Sequence, residues 1–253
     1  MSERLDHLGG RTVIVGSGLA GLMTALTLAP EPSVIVTRAA LGTQTSSAWA
    51  QGGIAAAIGA DDSAALHLAD TLAAGDGLCH RTVAAGIIAE APSAIAALEQ
   101  AGVRFDRNAA GEFSLGLEAA HNRRRIVHAE GDGSGAAIIA ALERAVAQTP
   151  AISVLEGFEA RRILMDGDEV AGLLCATAGG AAILPTGKVV LATGGIGGLY
   201  DATTNPLGNF GQGIALAARG RCRSRRHGIR PVPSDGARFT PQALSAGQRG
   251  GAR

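Results

Sequence analysis

The sequence is poor in several residue types, and each scarcity narrows the possible functions. Only 3% of the 253 residues are aromatic, lysine occurs once and the formal net charge is zero. A neutral chain lacks the basic surface that nucleic acid requires, so no nucleic-acid partner is expected. The cysteines, Cys79, Cys175 and Cys222, are widely spaced and form neither a zinc pattern nor a disulfide framework. This spacing predicts a cytoplasmic location and no metal site.

Long uninterrupted hydrophobic segments are also missing. The longest apolar stretch, 83–98, contains Glu90 and Pro92, so we expect no membrane span and no membrane partner. Glu3 and Asp6 precede the first short apolar segment, which argues against a signal peptide. Because 47% of the residues are hydrophobic, the composition predicts a globular chain with one substantial core.

A glycine-rich turn follows the first apolar run, 11–15. The turn consists of Gly16, Ser17, Gly18, Leu19, Ala20 and Gly21, and it opens a helix rich in alanine and leucine. In a strand–turn–helix unit the three glycines permit the tight turn, the close approach of phosphates and the packing of helix on strand. The pattern therefore predicts a dinucleotide cofactor, with a plain glycine turn as the alternative.

The remaining periodicity indicates alternating strands and helices. Predicted strands are 11–15, 33–37, 102–105, 152–156, 159–165, 169–177, 181–185 and 188–192. Predicted helices are 19–29, 62–74, 81–101 and about 134–148. We interpret 42–59 as a functional loop and 106–131 as irregular. The order predicts an α/β fold: a Rossmann-like domain with a parallel sheet and an inserted β-rich part.

Two further loops carry groups suited to a flat polar ring or a phosphate. One contains Ser46, Ser47, Ala50, Gln51, Gly52 and Gly53; the other, behind the strand 188–192, contains Thr193, Gly194 and Gly195. Together with the first glycine turn they resemble the flavoprotein subunits of the succinate dehydrogenase and fumarate reductase superfamily. The resemblance implies that these residues, with Gln212 of a later Gly-Gln-Gly, bind FAD.

The segment 115–129 narrows the resemblance to the L-aspartate oxidase family. It places Glu118 ahead of His121 and of an Arg-Ile-x-His run that ends at His128, and 70–75 and 203–206 match further. The family oxidises L-aspartate to iminosuccinate by hydride transfer from Cα to flavin, in quinolinate and NAD synthesis. Oxygen or fumarate reoxidises the flavin. The resemblance implies that Glu118 meets the substrate amino group; a solvated loop carboxylate is the alternative.

Several positions depart from the superfamily pattern. Ser46 replaces the histidine that links flavin covalently in other members, so we expect non-covalent FAD. Thr37 and Arg38 stand where an acid for the ribose is usual. The run 123–125 is expected to contribute at least one structural ion pair, and His121 and His128 to pack or hydrogen-bond. A fumarate reductase or succinate dehydrogenase-like flavoprotein, or a non-catalytic flavin-binding fragment, stays open.

Similarity to the family runs from about residue 11 to 219. We therefore expect residues 1–220 to form a truncated FAD-binding domain without its capping domain and its other catalytic groups. Residues 221–253 contain eight arginines and a single acid. A one-base shift in the reading of that segment permits a family-like sequence, so we interpret it as a disordered, out-of-frame tail. The alternative is an arginine-rich arm for nucleic acid or a membrane surface.

Overall fold

The computed structural model describes residues 3–220, and the predicted tail at 221–253 lies outside them. The described strands are β1 (Glu3–Arg4), β2 (Thr12–Val15), β3 (Ser33–Thr37), β4 (Ile54–Ala55), β5 (Leu115–Gly116), β6 (Ile126–Val127), β7 (Ile152–Glu156), β8 (Glu159–Asp166), β9 (Glu169–Thr177), β10 (Gly180–Pro185) and β11 (Val189–Leu191). The α-helices are α1 (Leu19–Leu28), α2 (Ser46–Trp49), α3 (Ala64–Ala74), α4 (Arg81–Gln100), α5 (Ser134–Ala147) and α6 (Gln212–Arg219).

A four-stranded parallel sheet in the order β11-β2-β3-β7 forms the centre of the fold. Successive side chains of a strand point to opposite faces. Ile14 and Ile35 accordingly pack with α1 and α5 in one core cluster. Val13 and Val34 pack on the other face with β8, β9 and β10. The apolar character of these strands on both faces follows from this sandwiched position.

The second face of the parallel sheet is covered by the sheet β1-β10-β9-β8. Its long strands β8, β9 and β10 are antiparallel and lie in sequence between β7 and β11. The predicted β-rich insertion is therefore present, and the α/β fold class with a parallel sheet is confirmed. No capping domain occurs among residues 3–220.

A small third sheet, β4-β6-β5, was missed by the sequence analysis, which treated most of this region as loop. Its strands have only two residues each, too short for a periodic pattern to be recognised. The predicted strand at 102–105 is wrong, because no strand forms there. Val103 and Phe105 are nevertheless buried, so their alternation reflects a loop packed on the core.

Helix α4 continues through Glu90 and Pro92, in agreement with the helix predicted at 81–101. Pro92 is exposed, where water can hydrogen-bond the carbonyl that proline leaves unpaired. By length and composition alone, α4 could cross a membrane. A single such helix is a weak indication, since α4 also buries Ile88, Ile95 and Leu98 against the core.

Candidate functional site

A cavity of about 390 Å³ opens at the carboxyl ends of β2, β3 and β11. This edge is where parallel α/β sheets bind ligands. Ten of the predicted cofactor residues line it: Gly16, Ser17, Gly18, Leu19, Ala20, Ser46, Ser47, Thr193, Gly194 and Gln212. Residues from four separate stretches of the sequence thus face one space.

The glycine turn is built so tightly that side chains are excluded. Gly16 has a φ of +114°, and a Cβ there would overlap the carbonyl oxygen of Ala192. A Cβ on Gly21 would overlap the carbonyl oxygen of Gly16. Gly18 precedes α1 and offers no side-chain cap, so the amides that follow Leu19 in the first turn of the helix are available to an anion. The turn fits a dinucleotide pyrophosphate.

Ser46 ties three segments together at the cavity. Its hydroxyl donates to Asn205 Oδ1 at 2.9 Å and accepts from Asn209 Nδ2 at 2.6 Å. Asn209 is buried and packs against Gly194. Ser47 Oγ accepts the N–H of Leu19 at 3.2 Å, which joins α2 to the start of α1. The hydroxyl of Ser46 therefore connects the loops around the cavity.

The cavity wall also contains residues that the sequence analysis did not select. Thr37 Oγ1 lies 3.0 Å from Ser17 Oγ. Glu159 is the one carboxylate among the described lining residues. Gln212 Nε2 donates to Ala160 O at 2.6 Å and to Glu159 Oε1 at 3.2 Å, so this nitrogen is bound to β8. No local signal marks Glu159 and Ala160, because distant strand pairing brings them to the site.

Six of the predicted cofactor residues do not line the cavity: Gly21, Ala50, Gln51, Gly52, Gly53 and Gly195. Several of them support neighbouring backbone instead. The carbonyl oxygen of Ala50 accepts the N–H of Gly135 at 3.0 Å. A Cβ on Gly53 would overlap the carbonyl oxygen of Val127, so glycine allows this loop to lie against β6.

Glu118 lies in the loop that joins β5 to β6, with 43% of its side chain exposed. Its Oε1 is 4.0 Å from His128 Nε2. The same oxygen is 3.4 Å from the position that a Cβ on Gly52 would occupy. The fold therefore brings Glu118, the carboxylate predicted to bind the substrate, to the 46–53 loop. In the sequence more than 60 residues separate Glu118 from that loop.

A buried ion cluster anchors the Glu118 loop. Arg125 Nε and Nη2 bind Asp62 at 2.8 and 2.9 Å, and Nη1 binds Asp70 at 2.9 Å. Asp70 also accepts the backbone N–H of Asn122 at 2.9 Å and its side-chain amide at 2.6 Å. These bonds from Asn122, and then the Arg125 guanidinium, lower the pKa of Asp70. Arg125 thus supplies the structural ion pair expected in the arginine run.

A sequence comparison assigns the chain to a family that agrees with this site. The site combines the glycine turn, the parallel sheet and a cavity at the edge of that sheet. The signature of the family described as FAD binding domain matches residues 11–245. The chain belongs to this FAD-binding domain family. FAD is accordingly its cofactor, and the turn that begins at Gly16 lines a cavity at the edge of the sheet where such cofactors bind.

Named relatives refine this assignment. The chain is 62% identical over 238 residues to the L-aspartate oxidase of Agrobacterium fabrum, covering 94% of this chain and 44% of that protein. It is 59% identical over 219 residues to the L-aspartate oxidase of Xylella fastidiosa strain 9a5c, covering 87% and 43%. The chain thus spans less than half the length of these curated relatives.

The fold also resembles a solved structure. Mycobacterium smegmatis Sdh1, in a complex with UQ1, superposes with a TM-score of 0.79 at 28% identity. The superposition covers 86% of this chain and 39% of that chain. The FAD-binding domain is therefore structurally like its counterpart in that flavoprotein.

Proposed function

We propose that this FAD-binding domain serves the oxidation of L-aspartate to iminosuccinate, in quinolinate and NAD biosynthesis. The observation that carries the proposal is the position of Glu118, whose Oε1 lies close to Gly52 in the 46–53 loop. L-aspartate differs from succinate by an ammonium group. A carboxylate at this place can pair with the ammonium group of L-aspartate. Succinate has no ammonium group, so it cannot form this pair. The names of the relatives support the same substrate.

Each segment of the site has a part in this proposal. FAD, when bound, supplies the acceptor for the hydride that leaves the substrate Cα. The amides that follow Leu19 in α1 and the turn at Gly16 hold the pyrophosphate. Ser46 orders the loops without a covalent link to the cofactor. Glu118 orients the substrate through its ammonium group, which places the Cα for reaction.

We further propose that this chain alone binds FAD but turns over little or no L-aspartate. The chain spans 44% of the L-aspartate oxidase of Agrobacterium fabrum. We propose that the groups that hold the two substrate carboxylates correspond to the part of that protein which the chain does not span. Oxygen or fumarate is the proposed electron acceptor, and the cytoplasm the proposed location.

A flavin titration tests the proposal. Trp49 is the single tryptophan, and α2, which carries it, also carries Ser46 and Ser47 of the cavity wall. FAD is expected to quench its fluorescence and to stay with the chain on gel filtration. Under anaerobic conditions L-aspartate should perturb the visible spectrum of the bound flavin more strongly than succinate, without bleaching it.

Glu118→Gln is the matched variant for this experiment. It should retain FAD binding and lose the preference for L-aspartate, because the amide carries no charge for the ammonium. A chain that fails to bind FAD, or one that responds equally to both ligands, contradicts the proposal. Bleaching by L-aspartate would show that the chain alone is active.

A flavoprotein of the succinate dehydrogenase or fumarate reductase type is the second candidate. The TM-score of 0.79 with Mycobacterium smegmatis Sdh1 favours it. The exposed carboxylate of Glu118 argues against it, because a dicarboxylate substrate would be repelled there. If succinate changes the visible spectrum of the bound flavin more strongly than L-aspartate does, the result would favour this candidate.

We also propose that residues 1–220 form the domain and that 221–253 are translated out of frame. The arginine-rich composition of the segment supports this reading. The family match that runs to residue 245 is not explained by it. The base sequence of the coding DNA decides the point: the proposal requires that another frame encode family-like sequence after Gly220.

A further inference from the structure

His128 directly follows β6 and lies next to Glu118 and to Gly116 of β5. Its Nε2 is 4.0 Å from Glu118 Oε1. Its ring lies over Gly116 of β5, where a Cβ would come within 2.7 Å of Nε2. A side chain at residue 116 would therefore displace the ring. The fold leaves room for an imidazole whose Nε2 faces Glu118.

The environment of the second ring nitrogen of His128, Nδ1, distinguishes the two neutral tautomers of the ring. Nδ1 is buried and has no hydrogen-bond partner in the part of the chain that the structure describes. A proton on Nδ1 would be a buried donor without an acceptor, which is unfavourable. Of the two neutral tautomers, the one with its proton on Nε2 leaves no buried donor unpaired and directs an N–H towards Glu118.

The charged groups around the ring leave Glu118 as its acceptor. Asp106 donates its own N–H to the carbonyl oxygen of His128 at 2.8 Å, and its carboxylate accepts the N–H groups of Glu130 and Gly131 at 3.0 Å each. Gly116 and Gly52, which lie beside His128 and Glu118, carry no side chain. Glu118 is thus the carboxylate that His128 Nε2 faces.

We propose that His128 is a positioning residue that holds Glu118 as a neutral hydrogen-bond donor. A neutral donor fixes the carboxylate without cancelling its charge, so the full charge stays available to a substrate ammonium. The inference rests on the proposed role of Glu118 in binding L-aspartate. The distance of 4.0 Å exceeds a hydrogen bond, so the proposal requires the exposed Glu118 side chain to rotate towards Nε2.

Nuclear magnetic resonance of the chain with FAD added tests the pair. With ¹⁵N-labelled histidine, His128 is expected to show the neutral, Nε2-protonated tautomer at neutral pH. With ¹³C-labelled glutamate, His128→Leu should shift the Glu118 carboxylate signal. His128→Gln, whose amide nitrogen can replace Nε2 as a donor, should restore most of that signal. Unchanged affinity for FAD in both variants shows that the fold is kept.

Ligand selectivity gives a second readout. The preference of the flavin-loaded chain for L-aspartate over succinate is expected to fall about threefold to tenfold in His128→Leu, the equivalent of one hydrogen bond. His128→Gln should lose less. An imidazolium or Nδ1-protonated His128, or a Glu118 signal that ignores His128→Leu, overturns the inference. The expected tautomer and coupling without L-aspartate binding support the pair and reject the proposed function.

Discussion

Gly21 lies in the first turn of α1, where alanine would ordinarily be the better helix former. Its glycine is required because a Cβ would overlap the carbonyl oxygen of Gly16. The requirement is therefore one of packing between the helix and the turn that precedes it. Gly86, inside α4, has no atom within 4 Å of a Cβ built there, so the two helical glycines differ in what they contact.

Gly21→Ala is predicted to lower the free energy of unfolding by about 1–3 kcal/mol, because the added methyl group displaces the turn. It should also weaken FAD binding, measured by the quenching of Trp49 fluorescence. Gly86→Ala is the matched control and should raise stability by about 0.5–1 kcal/mol through helix propensity alone. Equal effects of the two changes on thermal unfolding would refute the packing argument.

His67 gives the domain a pH dependence. The residue is 6% exposed, and burial, followed by the charge of Arg125 and by His121, lowers its pKa from 6.5. Below pH 6.5 the unfolded chain binds a proton at His67 that the folded chain does not. The contribution of His67 to the free energy of unfolding is therefore present above that pH and falls as the pH drops below it.

Urea unfolding at about pH 7.5 and about pH 5.5 is predicted to show this loss of stability on acidification. His67→Gln should reduce the difference between the two conditions, since glutamine does not titrate. His80→Gln, at an exposed position, should retain the difference found for the unchanged chain. If His67→Gln retains it as well, other groups cause the acid sensitivity.

The β5–β6 connection shows how elements are joined at the Glu118 site. Arg125, next to β6, is fully buried and binds Asp62, which precedes α3, and Asp70 within α3. Arg123, two residues earlier, is 42% exposed and lies 3.8 Å from Asp61. The sequence shows three equivalent arginines in a row, but only Arg125 is buried with the carboxylates of Asp62 and Asp70, which makes it structural.

Arg125→Ala is predicted to lower the free energy of unfolding by about 3–5 kcal/mol, because it leaves buried carboxylates without a partner. Arg123→Ala should change it by about 0–1 kcal/mol, as for other exposed pairs. Chemical denaturation of the two variants measures the difference. A comparable loss in both would mean that the buried cluster contributes no more than the surface pair.

Long, strongly patterned elements were predicted from the sequence to within a residue or two at each end. Strands β3, β7 and β9 have the predicted bounds, and α1 ends one residue earlier than predicted. Their patterns reflect burial along a regular element. The strands β4, β5 and β6 were missed because two-residue strands depend on pairing between distant segments. The segment 102–105 resembled a strand because buried Val103 and Phe105 alternate with exposed Arg104 in a loop.

On the scale of the whole molecule, the cavity depends on the packing of the parallel sheet against the sheet β1-β10-β9-β8. The turns after β2 and β11 come from the parallel sheet, and Glu159 and Ala160 come from the antiparallel one. Ser46, Asn205 and Asn209 connect the loops across the opening. A ligand that contacts all these segments stabilises the folded chain as a unit, because they come together only on folding.

FAD at about 100 times its dissociation constant is predicted to raise the free energy of unfolding by about 2.7 kcal/mol. Thermal unfolding followed by circular dichroism should show one transition that moves to higher temperature as FAD is added. Gly21→Ala should show a smaller displacement at the same FAD concentration. A transition that does not respond to FAD would contradict binding at the assembled cavity.

The sequence by itself determined the α/β class and the glycine turn for a dinucleotide, because these depend on local periodicity and on backbone space within one segment. The resemblance to the flavoprotein superfamily implied that the dinucleotide is FAD. It also identified Glu118 by resemblance, and the roles of the individual site residues stay predictions. Only the tertiary structure placed Glu118 beside Gly52 and His128 and selected Arg125 from its neighbours. Those relations join segments that are far apart in the chain, and burial and pairing between them arise only when the sheets and helices pack.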